Sequence, residues 1–279
     1  MEFKRYEELQ FADDFMFWKV MTEYEDICRK VVELCIGHKV HGIRYKEGQK
    51  EMKILPESRG IRLDVYLEDD DRTLCDFEMQ KVSGTDLGKR FRYYDSIMTL
   101  NALQMGVDYE KLKDSYAVFI CLFDPFEKGR VVYEFTKRDR CDHELIMGDG
   151  AVDIVINALG DDSVCSDEMK SFLAAVRGQQ IESEPGRAIG NAVKRIRERP
   201  EWRAEYMLYE IRMNESRKEG YAAGIREGEE RGIEQGRLDT LRGSVQNMVD
   251  ALGITAEEAM DILKVTQEDR ALINGSTRK

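Results

Sequence analysis

Asp64 and Glu78 each stand inside an apolar, alternating run, where a carboxylate is disfavoured, rather than in the acidic turn at residues 68–71, where charge costs little. The two runs, residues 61–67 and 74–80, read as the strands of a β-hairpin. Successive strand side chains point to opposite faces, so Ile61, Leu63, Val65 and Leu67 share one side and Arg62, Asp64 and Tyr66 the other. In the second run Cys75, Phe77 and Met79 alternate with Leu74, Asp76, Glu78 and Gln80. Asp64 opposite Glu78 satisfies that parity; so does Asp64 opposite Asp76, with Glu78 one diagonal step away. Either register brings two or three carboxylates onto one face.

Carboxylates within such reach repel, and without a cation one of them tends to hold a proton. A hard divalent ion, Mg²⁺ or alternatively Mn²⁺, removes the conflict, because it takes oxygen ligands from one or two carboxylates, water and phosphate. Asp64 and Glu78 are the expected metal ligands, with the Met79 carbonyl as a third. An ordinary hairpin with a solvated acidic face is the plainer reading; the strand setting of both acids argues against it.

These residues carry a family resemblance. Asp64, thirteen intervening residues, then Glu78-Met79-Gln80 resembles the D…(D/E)-x-K signature of the PD-(D/E)XK nuclease superfamily, with glutamine in place of lysine. Asp13-Asp14-Phe15-Met16-Phe17, Gly60-Ile61-Arg62-Leu63-Asp64-Val65, Lys89-Arg90-Phe91-Arg92-Tyr93-Tyr94, the stretch from Phe119 to Phe126 and Asp149-Gly150 extend the likeness. Together they resemble the recombination-promoting nuclease or putative transposase family, in order over roughly the first 160 residues. The resemblance implies an α/β (α+β) restriction-endonuclease-like fold, a mixed sheet flanked by helices. It also implies metal-dependent endonucleolytic hydrolysis of DNA, linked to recombination, mobile elements or defence. The expected catalytic set is Asp64, Glu78 and Gln80, and by the same resemblance Asp14 is the better candidate to support the metal site; Glu23, Glu25 and Glu33 compete for that role, and spacing does not choose among them. A neutral amide positions water by hydrogen bonding but supplies no positive charge. Arg62, on the Asp64 face, is a candidate for some of the missing charge; Lys81 should point the other way.

The elements that hold the hairpin follow from periodicity. Residues 6–34 read as one or two amphipathic helices, with Asp13 and Asp14 suited to capping, and residues 40–45 as a first strand before a loop at 46–59. After the hairpin, residues 83–86 offer a cap to a helix reaching about residue 105, with Lys89, Arg90 and Arg92 as a basic flank for DNA phosphates. The apolar run at 116–123 reads as a buried central strand ended by Asp124-Pro125. Strands are expected at 131–135, 144–147 and 152–158, and a helix capped by Ser166. His38 and His41 lack further ligands at zinc spacing and read as surface residues.

The chain of 279 residues has room for one catalytic domain and an appendage: residues 1–182, a helical arm over 183–250 and a small helical tail over 251–279. In the arm, Gly220, Gly224, Gly228, Gly232 and Gly236 recur every fourth residue; each costs a helix roughly 1 kcal/mol against alanine. Close helix-to-helix approach explains such a stripe, so a homo-oligomer formed through the arm is expected. With 55 acidic and 43 basic residues the net charge is −12, which opposes indiscriminate coating of DNA and makes contact depend on local basic patches and metal. Six scattered cysteines without a C-x-x-C pair, and no apolar leader or membrane span, suggest a soluble protein of the reducing cytoplasm. The rival reading is a catalytically weak or inactive DNA-binding or oligomerising protein on a nuclease fold.

Overall fold

The computed structural model describes residues 4–52, 61–69, 73–84, 86–102 and 108–275. Six strands form one sheet in the order β1-β2-β3-β4-β6-β5: β1 (Ile43–Met52), β2 (Ile61–Asp69), β3 (Leu74–Gln80), β4 (Ser115–Cys121), β5 (Val132–Phe135) and β6 (Ala151–Asn157). The sheet is mixed. β3, β4 and β6 run parallel in the centre, while β1–β2, β2–β3 and β5–β6 are antiparallel.

Helices cover both faces, giving the expected α/β restriction-endonuclease-like arrangement. On one face, α1 (Asp14–Glu23) packs on β1 and β2, and α2 (Glu25–Ile36) packs on α1 and β6. α1 buries Phe15, Met16, Phe17, Val20 and Met21. On the other face, α3 (Leu87–Ala102) lays Phe91, Tyr94, Ile97 and Met98 over Leu74 of β3, Ala117 and Phe119 of β4 and Val155 of β6. α3 joins β3 to its parallel neighbour β4, the crossover that parallel pairing requires. The run from Ser115 to Cys121 sits in the middle of the sheet and is almost wholly buried.

Two expectations fail here. Residues 46–52 continue β1 instead of opening a loop; Ile43–Met52 is an edge strand, where charged residues are tolerated, and pairing with β2 overrides its weak propensity. Residues 144–147 form no strand: the chain makes a single bridge, Arg138 to Ile146, and Leu145, Ile146 and Met147 are exposed. The remainder of the expected loop, residues 53–59, the tip of the hairpin and the expected end of the α3 helix beyond residue 102 lie outside the described residues.

Cα packing divides the chain into two compact units, Met1–Met207 and Leu208–Lys279. The first extends past the boundary expected at residue 182. α4 (Asp167–Val176), capped by Ser166 as its sequence suggests, packs on α5 (Gly186–Arg197), and α5 packs on α1. α5 buries Ile189, Ala192, Val193 and Ile196, and the Tyr6 hydroxyl donates to the Ile196 carbonyl. That apolar face makes α5 part of the domain rather than of the arm.

α6 (Pro200–Leu252) runs through the division. Within the second unit its end packs with α7 (Ala256–Ile262) and α8 (Gln267–Gly275) around Val245, Ala259, Met260 and Val265. Arg237 forks onto the Asp269 carboxylate, and Thr255 with Glu258 forms the expected capping box. The five arm glycines are exposed, and an added Cβ at any of them would meet nothing within 4 Å.

Candidate active site

The β2–β3 ladder settles the register that parity leaves open. Pairs run from Glu68↔Leu74 to Val65↔Phe77, and Asp76 faces Tyr66, so the next step sets Asp64 beside Glu78. There the two acids take over the backbone donors. The Asp64 N–H donates to Glu78 Oε1 at 2.9 Å, and the Met79 N–H donates to Asp64 Oδ2 at 3.1 Å. The N–H and C=O of one strand residue point the same way. The Met79 carbonyl therefore turns toward β2 and Asp64, while the Gln80 carbonyl accepts from Leu122 N–H on the opposite side.

Burial makes this cluster electrostatically uneasy. Glu78 is 4 % exposed and Asp76, two residues before it on the same face, is 0 % exposed. Loss of hydration, then the charge of Asp64, pushes both carboxyls well above their ordinary range. Neither oxygen of Asp76 has a hydrogen-bond partner among the described residues. Crowded oxygen donors of this kind fit a hard divalent cation, which Asp64 and Glu78 would hold with the Met79 carbonyl beside them. Among the described residues no group of three or more His, Cys, Asp or Glu is arranged to hold a metal.

Gln80 ends β3 on the same face, and here the structure adds a contact that strand parity could not show. Arg90 of α3 reaches down so that Nη1 donates to Gln80 Oε1 at 2.9 Å, while Nη2 lies 3.4 Å from the Tyr94 hydroxyl and 3.8 Å from Glu78 Oε2. Its guanidinium lies 4.9 Å from the centre of the Phe119 ring and 5.6 Å from that of Tyr94. Of the three basic residues proposed as a flank, Arg90 thus lies inside the site, whereas Lys89 and Arg92 are exposed. A signal was present: Arg90 is one turn before Tyr94 and one turn after Leu87, on the edge of the apolar stripe.

Asp14 opens α1 and is half-buried. Asp13 occupies the N-cap position but makes no capping bond; it accepts instead from Gln10 N–H and pairs with Lys4 and Lys81, at 3.0 and 2.7 Å. Lys81 therefore turns away from Glu78, toward α1, as its strand parity requires. The backbone of Arg62 lies in β2 opposite Glu51, and its side chain is outside the described residues. A second acid pair went unnoticed in the sequence. Burial, then the charge of Asp95 on α3, raises Asp153 on β6 to about 7, and Asp95 is raised with it.

Comparison with known proteins agrees with this geometry. The sequence model of the PD-(D/E)XK nuclease family transposases matches residues 13–140, a span that contains β1–β5, α1–α3 and the cluster of Asp64, Asp76 and Glu78. No curated protein and no solved structure matches the chain. The acidic hairpin lies inside the segment, residues 13–140, over which the chain is similar to the PD-(D/E)XK nuclease family transposases.

Proposed function

We propose that the protein is a Mg²⁺-dependent DNA endonuclease, with Mn²⁺ as a substitute ion, acting in recombination, mobile-element maintenance or defence. The observation that supports this most is the reciprocal bonding of Asp64 and Glu78, which holds a half-buried and a buried carboxylate at one place on the sheet. A divalent ion bound there supplies a nucleophilic water at neutral pH and neutralises charge on the phosphate under attack. Asp64 and Glu78 hold that ion, with the Met79 carbonyl as a further ligand and Asp14 as a supporting acid. Gln80 presents a neutral amide to the reacting phosphate or water. Lys89 and Arg92, exposed on α3, bring positive charge to the DNA backbone despite the net charge of −12, while Arg90, of the same basic flank, turns to Gln80 and Glu78. Arg62 stays a candidate contributor on the same strand.

The exposed glycine stripe of α6 supports homo-oligomerisation through the arm, since a long helix that is polar all round lacks an internal reason to persist. No helix among the described residues is long and apolar enough to cross a membrane, and all six cysteines are free thiols, consistent with a cytoplasmic protein. A plasmid-nicking assay tests the enzyme reading. Wild type should convert supercoiled DNA to open circle in Mg²⁺ and not in EDTA, and Asp64→Ala or Glu78→Ala should abolish the conversion. Nicking that survives both substitutions would remove catalysis from this hairpin.

A further inference from the structure

The superfamily signature places a lysine where this chain has Gln80, so the site lacks a cation on the strand itself. The geometry points to Arg90 as the source of that charge, delivered through Gln80: the arginine and the glutamine together do the work of a single lysine. This assignment rests on the nuclease reading and names the residue pair on which its chemistry depends.

Arginine carries five N–H donors and no acceptor. Because Arg90 Nη1 lies 2.9 Å from the Gln80 amide, the amide oxygen must face the guanidinium, and the NH₂ group must face away from it. The orientation of Gln80 is therefore fixed by its partner's chemistry. A carbonyl that accepts from a permanent cation is polarised, which makes the amide N–H a stronger donor toward a phosphate oxygen or an attacking water. Gln80 is the residue that touches the reacting atoms; Arg90 is a positioning residue acting through it.

Arg90 is held for that task from several sides. The Asp86 carbonyl accepts from the Arg90 N–H at 3.0 Å and fixes the first turn of α3. The guanidinium rests over Phe119, which itself stacks on Phe91 with ring centres 4.3 Å apart. Glu78 Oε2 at 3.8 Å is near enough to attract the charge and too far for a bidentate pair, so the short bond goes to the amide.

A charge-relocation experiment on the full chain separates this role from a merely structural one. Arg90→Met should lower kcat for Mg²⁺-dependent plasmid nicking by roughly 100-fold, the size expected for one lost electrostatic donor, with KM for DNA little changed. Gln80→Lys in the same chain returns the charge to the strand, and the double variant should recover most of the lost kcat. In ¹⁵N spectra without metal or DNA, the Gln80 side-chain amide should be shifted and rigid in wild type and move toward solvent values in Arg90→Met. Arg90→Gln serves in its place if the methionine variant loses its cooperative melting transition. Full-rate nicking by an Arg90 variant, a double variant as slow as Arg90→Met, or a Gln80 amide indifferent to residue 90 overturns the assignment. A wild type that never nicks in Mg²⁺ overturns the nuclease reading instead, and with it the pair's catalytic role.

Discussion

Asp64 and Glu78 are bound to one another's strands: the Asp64 backbone donates to the Glu78 side chain, and the Asp64 side chain accepts from Met79, the residue after Glu78. The exchange holds both carboxylates near the sheet without neutralising them. In the metal-free protein their mutual repulsion is a standing cost, and a bound cation removes it.

That cost should be visible as metal-linked stability. Glu78 and Asp76 have raised values in the folded chain, so the folded state holds more protons than the unfolded one above their ordinary values of 4.5 and 3.8. Their contribution is greatest in acid and declines as pH rises through that window and beyond. The melting temperature of the metal-free protein should fall toward alkaline pH, and Mg²⁺ should reverse the fall, by about 2.7 kcal/mol at a hundredfold excess over Kd. Glu78→Gln should raise the metal-free melting temperature and remove the response to Mg²⁺. Calorimetry across pH checks both.

Asp153 and Asp95 carry the same kind of cost, partly offset by the charge of Lys137, which is itself paired with Asp149. Asp153 titrates at about 7 when folded against 3.8 unfolded, so its stabilising share is complete below 3.8 and lost as pH rises through 7. Asp153→Asn, which mimics the protonated acid, should raise the melting temperature at about pH 8 and leave it unchanged in mild acid. For a domain of this size each kcal/mol relieved is worth about 2–4 °C.

Asp13 presents the opposite sign. Burial opposes its charge, but Gln10 N–H, Lys81 and Lys4 together lower it below 3.8. Its stability is therefore present at neutral pH and lost only as the pH falls through that lowered value. Asp13→Ala leaves Lys81 and the Gln10 N–H without this partner and should cost about 1–3 kcal/mol in denaturant melts at neutral pH.

The arm makes a separate prediction. Nothing lies within 4 Å of a Cβ built on Gly224, Gly228 or Gly232, so alanine at all three should stiffen an isolated helix by roughly 1 kcal/mol per site. Leucine at the same positions prevents close approach of two arms. Light scattering should show an oligomer for wild type and a smaller mass for the leucine variant or for a chain ending after Asn214, which retains the whole first unit.

Much of the site was legible because a strand has a period of two. That period alone put Asp64, Glu78 and Gln80 on one face and Lys81 on the other. It could not choose between Glu78 and Asp76 as the partner of Asp64, because registers differing by two residues share a parity; the ladder through Val65↔Phe77 decides. Arg90 was read as part of a basic flank with Lys89 and Arg92, although its spacing from Leu87 and Tyr94 sets it on the edge of the apolar stripe. The continuation of β1 through residues 46–52 escaped notice since an edge strand can be as charged as Lys46-Glu47 and Lys50-Glu51. Leu145, Ile146 and Met147 misled for the converse reason: an apolar triplet with strand propensity stays exposed when little of the sheet pairs with it.

Everything proposed for catalysis depends on Asp64 and Glu78 sharing one cation. Anomalous diffraction from crystals soaked in Mn²⁺ observes this directly. The expected result is a single strong peak about 2.0–2.6 Å from carboxylate oxygens of both residues and from the Met79 carbonyl. A map with no peak between β2 and β3, or with manganese bound only elsewhere on the acidic surface, would contradict it.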